Sequence, residues 1–247
     1  MGAHPDRPPP PRPAGRAEVA LLAVMALGPT AAAGVYFVAL DGRDSAAAVY
    51  LASKLVQFAL PLWLWARLRP ARPHPRATRR DGLLRGTLSG VALALGALAI
   101  PALLAAAGLE RGVATRISAK LEDFGIATPA AFVAFALAIS LLHSALEEYY
   151  WRWSLYGALR SWIADPLAAT LAAAAFASHH VVVIGQFVRG AGVAGSLLLG
   201  LSALAVFVAG LVWSWVYRST GRIAASWISH VAADLALFWV GARLLWG

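Results

Sequence analysis

Three short motifs in an otherwise apolar chain carry the chemistry. The first is Glu147-Glu148-Tyr149-Tyr150-Trp151-Arg152, at the end of a long apolar run. The second is Phe176-Ala177-Ser178-His179-His180, in an Ala-rich run, and the third is His230-Val231-Ala232-Ala233-Asp234. A charged side chain near the bilayer centre costs roughly 2.5–3.5 kcal/mol even on the lower insertion scales, so intramembrane acids generally serve a function. Two carboxylates and two or three imidazoles reaching one cavity would suit hydrolysis: a carboxylate takes a proton from water while imidazoles hold the water or the developing charge.

Spacing assigns provisional roles. Successive helical residues are about 100° apart, so Glu147 and Glu148 point in different directions. Glu148 and Arg152 are four apart, with the acid on the N-terminal side, as an ion pair requires. Glu147 then has no evident local partner and needs a polar environment from other helices. His143, one turn earlier, could line the same cavity or serve in packing. Phe176 and His180 share a face, so His180 is expected to face the site and His179 to be structural or peripheral. In the third motif Asp234 could orient His230 or contact a bound water. Two His and a carboxylate are also familiar zinc ligands, which would make Glu147, His180 and His230 the ligands of a metal-dependent enzyme.

The order of the motifs resembles the signature of the CAAX-protease and bacteriocin-processing family of intramembrane glutamic endopeptidases, also called the Abi family. That signature reads E-E-x-x-x-R, then F-x-x-x-H, then H-x-x-x-N or H-x-x-x-D. Glu147, Glu148 and Arg152 match the first part, Phe176 and His180 the second, His230 and Asp234 the third. The resemblance implies that Glu147 and His180 activate the attacking water. It implies that His230 and Asp234 bind that water or form an oxyanion pocket, and that Glu148 and Arg152 hold the surrounding architecture. It favours a mechanism without metal or other cofactor over a zinc site. Two positions depart from the pattern: Trp153 stands where members often have Gly, and Asp234 where the prenyl-protein proteases have Asn. An ionised Asp234 would repel an oxyanion, so the resemblance requires it to be protonated, turned toward His230 or engaged differently.

The elements that must position these residues are membrane helices. The chain has 247 residues, 60% of them hydrophobic, and a mean hydropathy of +0.67. Runs of about 20 apolar residues recur along its length. The expected fold is all-α, a polytopic transmembrane helix bundle of seven spans (an eighth if one helix is re-entrant) with the catalytic cavity between helices. The spans are drawn at 18–40, 46–66, 83–107, 129–151, 164–187, 191–217 and 223–245. Residues 1–16, rich in Pro and Arg, are expected to form a disordered tail, and 17–247 a single transmembrane domain with its protease-like core at about 129–245. The first apolar stretch lacks an A-x-A cleavage site at the usual distance and is read as a signal anchor. Arg67–Arg85, with seven Arg among Pro70, Pro73 and Pro75, is read as a loop, and Glu110–Gly125 as an amphipathic surface helix.

Charge and composition exclude other classes. The absence of Cys rules out disulfides and thiolate chemistry. The net charge of +9 comes from membrane-flanking Arg and not from a nucleic-acid surface. Fourteen basic residues fall on the side of the N-terminus and six on the other, with Lys54 inside a span. This predicts a cytoplasmic N-terminus, in an integral protein of a bacterial cytoplasmic membrane. The aromatics Tyr149 to Trp162 read as an interfacial belt, and the glycines of the sixth span as close-packing positions.

The function expected is endoproteolysis near the C-terminus of membrane-associated proteins or peptides, with substrate and lipids as the partners and no nucleic acid. The Ala- and Arg-rich composition points to a high-GC bacterium and so away from prenylated substrates, toward bacteriocin-type peptides or sorting tags. The alternatives are a non-catalytic scaffold or bacteriocin-immunity protein and a proton-coupled transporter. The former has no need of Glu147, His180 and His230 together.

Overall fold

The computed structural model describes residues 15–40, 45–68 and 77–247. Most of the N-terminal tail and the Pro-rich centre of the Arg67–Arg85 segment lie outside the described residues. The described residues form helices and no strand, as an apolar solvent demands: without water, every backbone amide must be satisfied within its own segment.

Seven helices are long and apolar enough to cross a membrane: Arg16–Ala39, Ala48–Ala66, Arg79–Ala106, Pro129–Leu159, Asp165–Val188, Gly192–Thr220 and Ile223–Trp246. They are called the first to seventh spans below. Leu, Val and Trp side chains such as Leu55, Leu88, Leu142, Val193 and Leu204 cover the outside of the bundle, where lipid replaces water. Pro29 and Pro61 sit inside the first and second helices without ending them. A surface helix, Glu110–Asp123, lies between the third and fourth spans, as its amphipathic sequence predicts. Its Arg116 Nη2 donates to the Arg189 carbonyl at 2.8 Å, tying it to the end of the fifth span.

The third helix begins at Arg79, so the Arg-rich loop is shorter than its composition implies. Thr78 caps it, its hydroxyl accepting from the Asp81 amide at 3.1 Å, while Asp81 lies favourably in the first turn. Gly82, Gly86 and Gly90 then form a buried stripe along this helix. A Cβ on Gly86 would lie 2.4 Å from the Ala225 carbonyl oxygen, and one on Gly90 2.9 Å from Ser229 Cα. The third and seventh helices therefore meet backbone to backbone, as small residues allow in membranes. The glycines of the sixth span behave less uniformly. Gly195 and Gly210 are tightly packed and nothing approaches Gly200, while Gly190 and Gly192 have positive φ in and beside the turn before that helix.

The fourth span is central and packs against the first, second, fifth, sixth and seventh. It continues to Leu159, well beyond the boundary at 151 drawn from hydropathy. Glu147 therefore lies inside the span and not at its end. The Glu-Glu-x-x-x-Arg cluster looks like an interface only when its charges are counted singly, since folded together they neutralise one another. The span holds two π-helical stretches, Ile139–His143 and Glu148–Tyr156, on either side of Glu147. Such wide turns are frequent at functional sites. Trp227 of the seventh span supports the first, donating its Nε1–H to the Leu141 carbonyl at 3.0 Å.

Candidate active site

Glu147 lies at the crossing of the fourth, fifth and seventh spans and is 6% exposed, while Glu148 is fully buried. Three imidazoles reach the Glu147 carboxylate directly. His143 Nε2 stands 3.4 Å and His179 Nε2 3.3 Å from Oε1, and His230 Nε2 is 3.6 Å from Oε2. His143, one helical turn back, is thus the local partner that the sequence reading did not assign to Glu147. His179 is not peripheral: its ring stacks on Trp151 with centroids 5.5 Å apart and planes 5° apart, which aims Nε2 at the carboxylate.

His180 faces the same cavity, as expected. Its Nδ1 lies 3.0 Å from the Phe176 carbonyl, which can only accept, so Nδ1 carries the proton and Nε2 keeps its lone pair. One donor atom each from Glu147, His179 and His180 lie within 4.8 Å of one another. This differs from the expected metal-ligand set, because His179 joins the group and His230 does not. His230 is already committed elsewhere. Its Nδ1–H donates to Glu148 Oε1 at 2.9 Å, and its ring stacks on Trp213 at 3.8 Å.

Arg152 and Glu148 form the expected pair, with Nη1 to Oε1 at 3.2 Å, both nearly or wholly buried. The guanidinium sits over the rings of Phe176 (4.5 Å) and Trp213 (4.8 Å). Phe176 thereby links the second motif to the first, and its ring edge also meets His179 and His230. Asp234 Oδ1 stands 3.7 Å from His230 Nε2, turned toward the imidazole.

Three members of the aromatic run following the carboxylates are core residues and not an interfacial belt. Tyr150, Trp151 and Tyr156 are 3%, 2% and 1% exposed and pack in the core beside the site. Tyr150 donates its hydroxyl proton to the Met25 carbonyl at 2.8 Å, and Tyr156 to Asp165 at 2.8 Å. Trp213 and Ser229 are contributions that the sequence did not disclose. Trp213 Nε1–H donates to Ser229 Oγ at 3.0 Å, and Ser89 donates to the same oxygen at 2.9 Å, which fixes the seventh helix beside His230.

Fold and site together define the class: a polytopic helical membrane protein with a buried glutamate–histidine cluster at the centre of its bundle. Residues 129–236 match the family described as Rce1-like, type II CAAX prenyl endopeptidase Rce1-like. That stretch, less than half of the chain, contains all three motifs and is similar to the CAAX-protease family that the motifs resemble. No curated protein and no solved structure matches the chain.

Proposed function

We propose that this protein is an intramembrane endopeptidase that cleaves a peptide bond near the C-terminus of membrane-associated proteins or peptides. The observation that carries the proposal is the convergence of His143, His179 and His230 on one buried carboxylate, with His180 completing the group. A structural carboxylate in a membrane needs one cationic partner; this one is ringed by groups able to exchange protons. Glu147 holds a water shared with His180 Nε2, across a gap of the size a single water bridges. As the oxygen attacks the scissile carbonyl carbon, its proton passes to Glu147 and the carbonyl oxygen becomes an oxyanion. His230, oriented by Glu148, meets that charge as the imidazolium through its Nε2–H, while Asp234 stays turned toward the imidazole. Collapse of the tetrahedral intermediate breaks the C–N bond, and the proton held by Glu147 goes to the leaving amine.

The reaction as proposed needs no metal. Were one bound, Glu147, His179 and His180 would hold it, and it would supply Lewis-acid activation of water. We further propose a bacterial cytoplasmic membrane with the N-terminus on the cytoplasmic face.

The test compares protein termini in membranes from cells carrying the native protein or Glu147→Gln at matched abundance. Specific C-terminal fragments are expected to vanish in the variant, and unchanged termini would defeat the proposal. Purified protein should keep its activity after prolonged chelation and gain none from added zinc; chelator-sensitive activity restored by zinc would replace the metal-free mechanism.

A further inference from the structure

Lys54 is a cation inside the membrane that the cluster around Glu147 leaves unused. It lies nine residues into the helix that begins at Ser45, about 13 Å along its axis. Buried or lipid-embedded lysines normally pair with an acid or extend to the interface. Lys54 does neither. Its Nζ donates to Gln57 Oε1 at 3.2 Å and lies 5.3 Å from the centre of the Tyr50 ring. Among the described residues it has no carboxylate partner, and two of its three N–H donors are left over.

The side chain faces the bundle. On the second helix Tyr50, Ser53, Lys54 and Gln57 are half-buried, while Leu51, Leu55, Val56 and Phe58 face outward. This polar stripe is met by Tyr36, at the end of the first span, whose ring packs edge-on against Tyr50 at 5.2 Å. Contacts along the second and fourth spans fix their register. Tyr149 donates to the Phe58 carbonyl at 3.1 Å, and Trp65 lies 6.4 Å from Trp153. The two helices therefore run in the same direction. Lys54, four residues before Phe58, stands at a level between His143 and Glu147, which lie six and two residues before Tyr149. The Glu147 charge also acts on Lys54, Tyr50 and Tyr36, so the stripe lies near that carboxylate.

We infer that Lys54, flanked by Tyr50 and Gln57, binds the C-terminal carboxylate of the substrate. The inference rests on the proposed proteolysis and adds the element that would confine cleavage to the end of a chain. An ammonium with two donors to spare, in a low dielectric and at the level of the Glu147 cluster, favours one kind of group: a carboxylate that is itself carried into the membrane on a peptide. A carboxylate on Lys54 sets how many residues fit between the chain end and the bond above Glu147.

The test extends the comparison of termini to Lys54→Gln and Lys54→Arg at matched membrane abundance. One substrate so identified is then expressed with its native end and with three added residues. Lys54→Gln should lower cleavage of the native substrate about tenfold or more, the loss typical of a charge-assisted hydrogen bond, and Lys54→Arg should retain most of it. The added residues should impair cleavage by the native protein and cause no further loss in Lys54→Gln. Undiminished cleavage by Lys54→Gln overturns the inference while the protease reading stands. An equal loss on native and extended substrates also overturns it, because Lys54 would then serve packing or a lipid anion. If Glu147→Gln leaves all termini unchanged, both fail.

Discussion

Glu148 shows how one side chain can serve two neighbours. Its Oε1 accepts from His230 Nδ1–H at 2.9 Å and faces Arg152 Nη1 at 3.2 Å. The two Nη atoms of Arg152 lack a hydrogen-bond partner among the described residues, and the guanidinium is held by this charge and by two aromatic faces. Glu148→Gln therefore leaves a buried arginine uncompensated, a loss of about 3–5 kcal/mol in stability. It also removes the charge that orients and supports His230. The two effects separate in the double variant Glu148→Gln/Arg152→Met. Removing both charges should restore most of the thermal stability in detergent, whereas cleavage should stay about a hundredfold down, the scale of a displaced acid–base group. Recovery of activity together with stability would show that Glu148 matters only as a counter-ion. The motif spacing disclosed the Glu148–Arg152 pair. It could not disclose the bond to His230, because 82 residues separate the partners.

At the scale of elements, the position of His230 is set by how closely the seventh helix approaches the third. Gly82, Gly86 and Gly90 repeat every four residues and so occupy one face, against Arg222, Ala225, Ser229 and Ala232. At Gly86 a methyl group would meet a carbonyl oxygen at 2.4 Å, and the obstacle is backbone, which cannot swing aside as a side chain can. Gly86→Ala should destabilise the protein by about 1–3 kcal/mol through overpacking. It should also lower activity beyond what the lost folded fraction explains, because the shift reaches Ser229 and His230 on the same helix. Gly96→Ala, at a position with open space on the same helix, is the control and should be silent in both melting and cleavage assays. The seven spans, their order and the surface helix were legible from hydropathy, since each requires only a run of apolar or amphipathic residues. This glycine stripe was not, because its first member precedes the apolar run that marked the third span at residue 83. Nor was the true end of the fourth span. Arg152 reads as a membrane boundary until Glu148, Phe176 and Trp213 are seen to enclose it, and the turn toward Glu147 that brings His179 into the cluster depends on stacking against Trp151.

For the whole molecule, the internal position of Arg152 alters the charge balance without reversing it. With Arg152 removed from the loops, thirteen basic residues remain on the side of the N-terminus against six on the other. Cross-connections keep each set on one face. Arg160 and Arg218 both pair with Asp165, at 2.6 and 3.1 Å, and Arg222 donates to the Ala77 carbonyl, while Arg116 reaches the Arg189 carbonyl at the opposite end. The proposed orientation, with the Arg-rich loops in the cytoplasm, follows the positive-inside rule. In that orientation Glu147 lies about 27 Å along the fourth span from its outer end and about 18 Å from its inner end, at 1.5 Å per residue. His143 and Lys54 then lie on the outer side of Glu147, and a substrate chain end held by Lys54 points away from the cytoplasm. The chain contains no Cys, so single cysteines report without background. Ala119→Cys, exposed on the surface helix, should react with a membrane-impermeant maleimide in intact spheroplasts. Ala164→Cys, exposed before the fifth span, should react only after permeabilisation. The reverse pattern would place the N-terminus outside and turn the proposed chain-end subsite toward the cytoplasm, where a newly made protein would present its C-terminus directly.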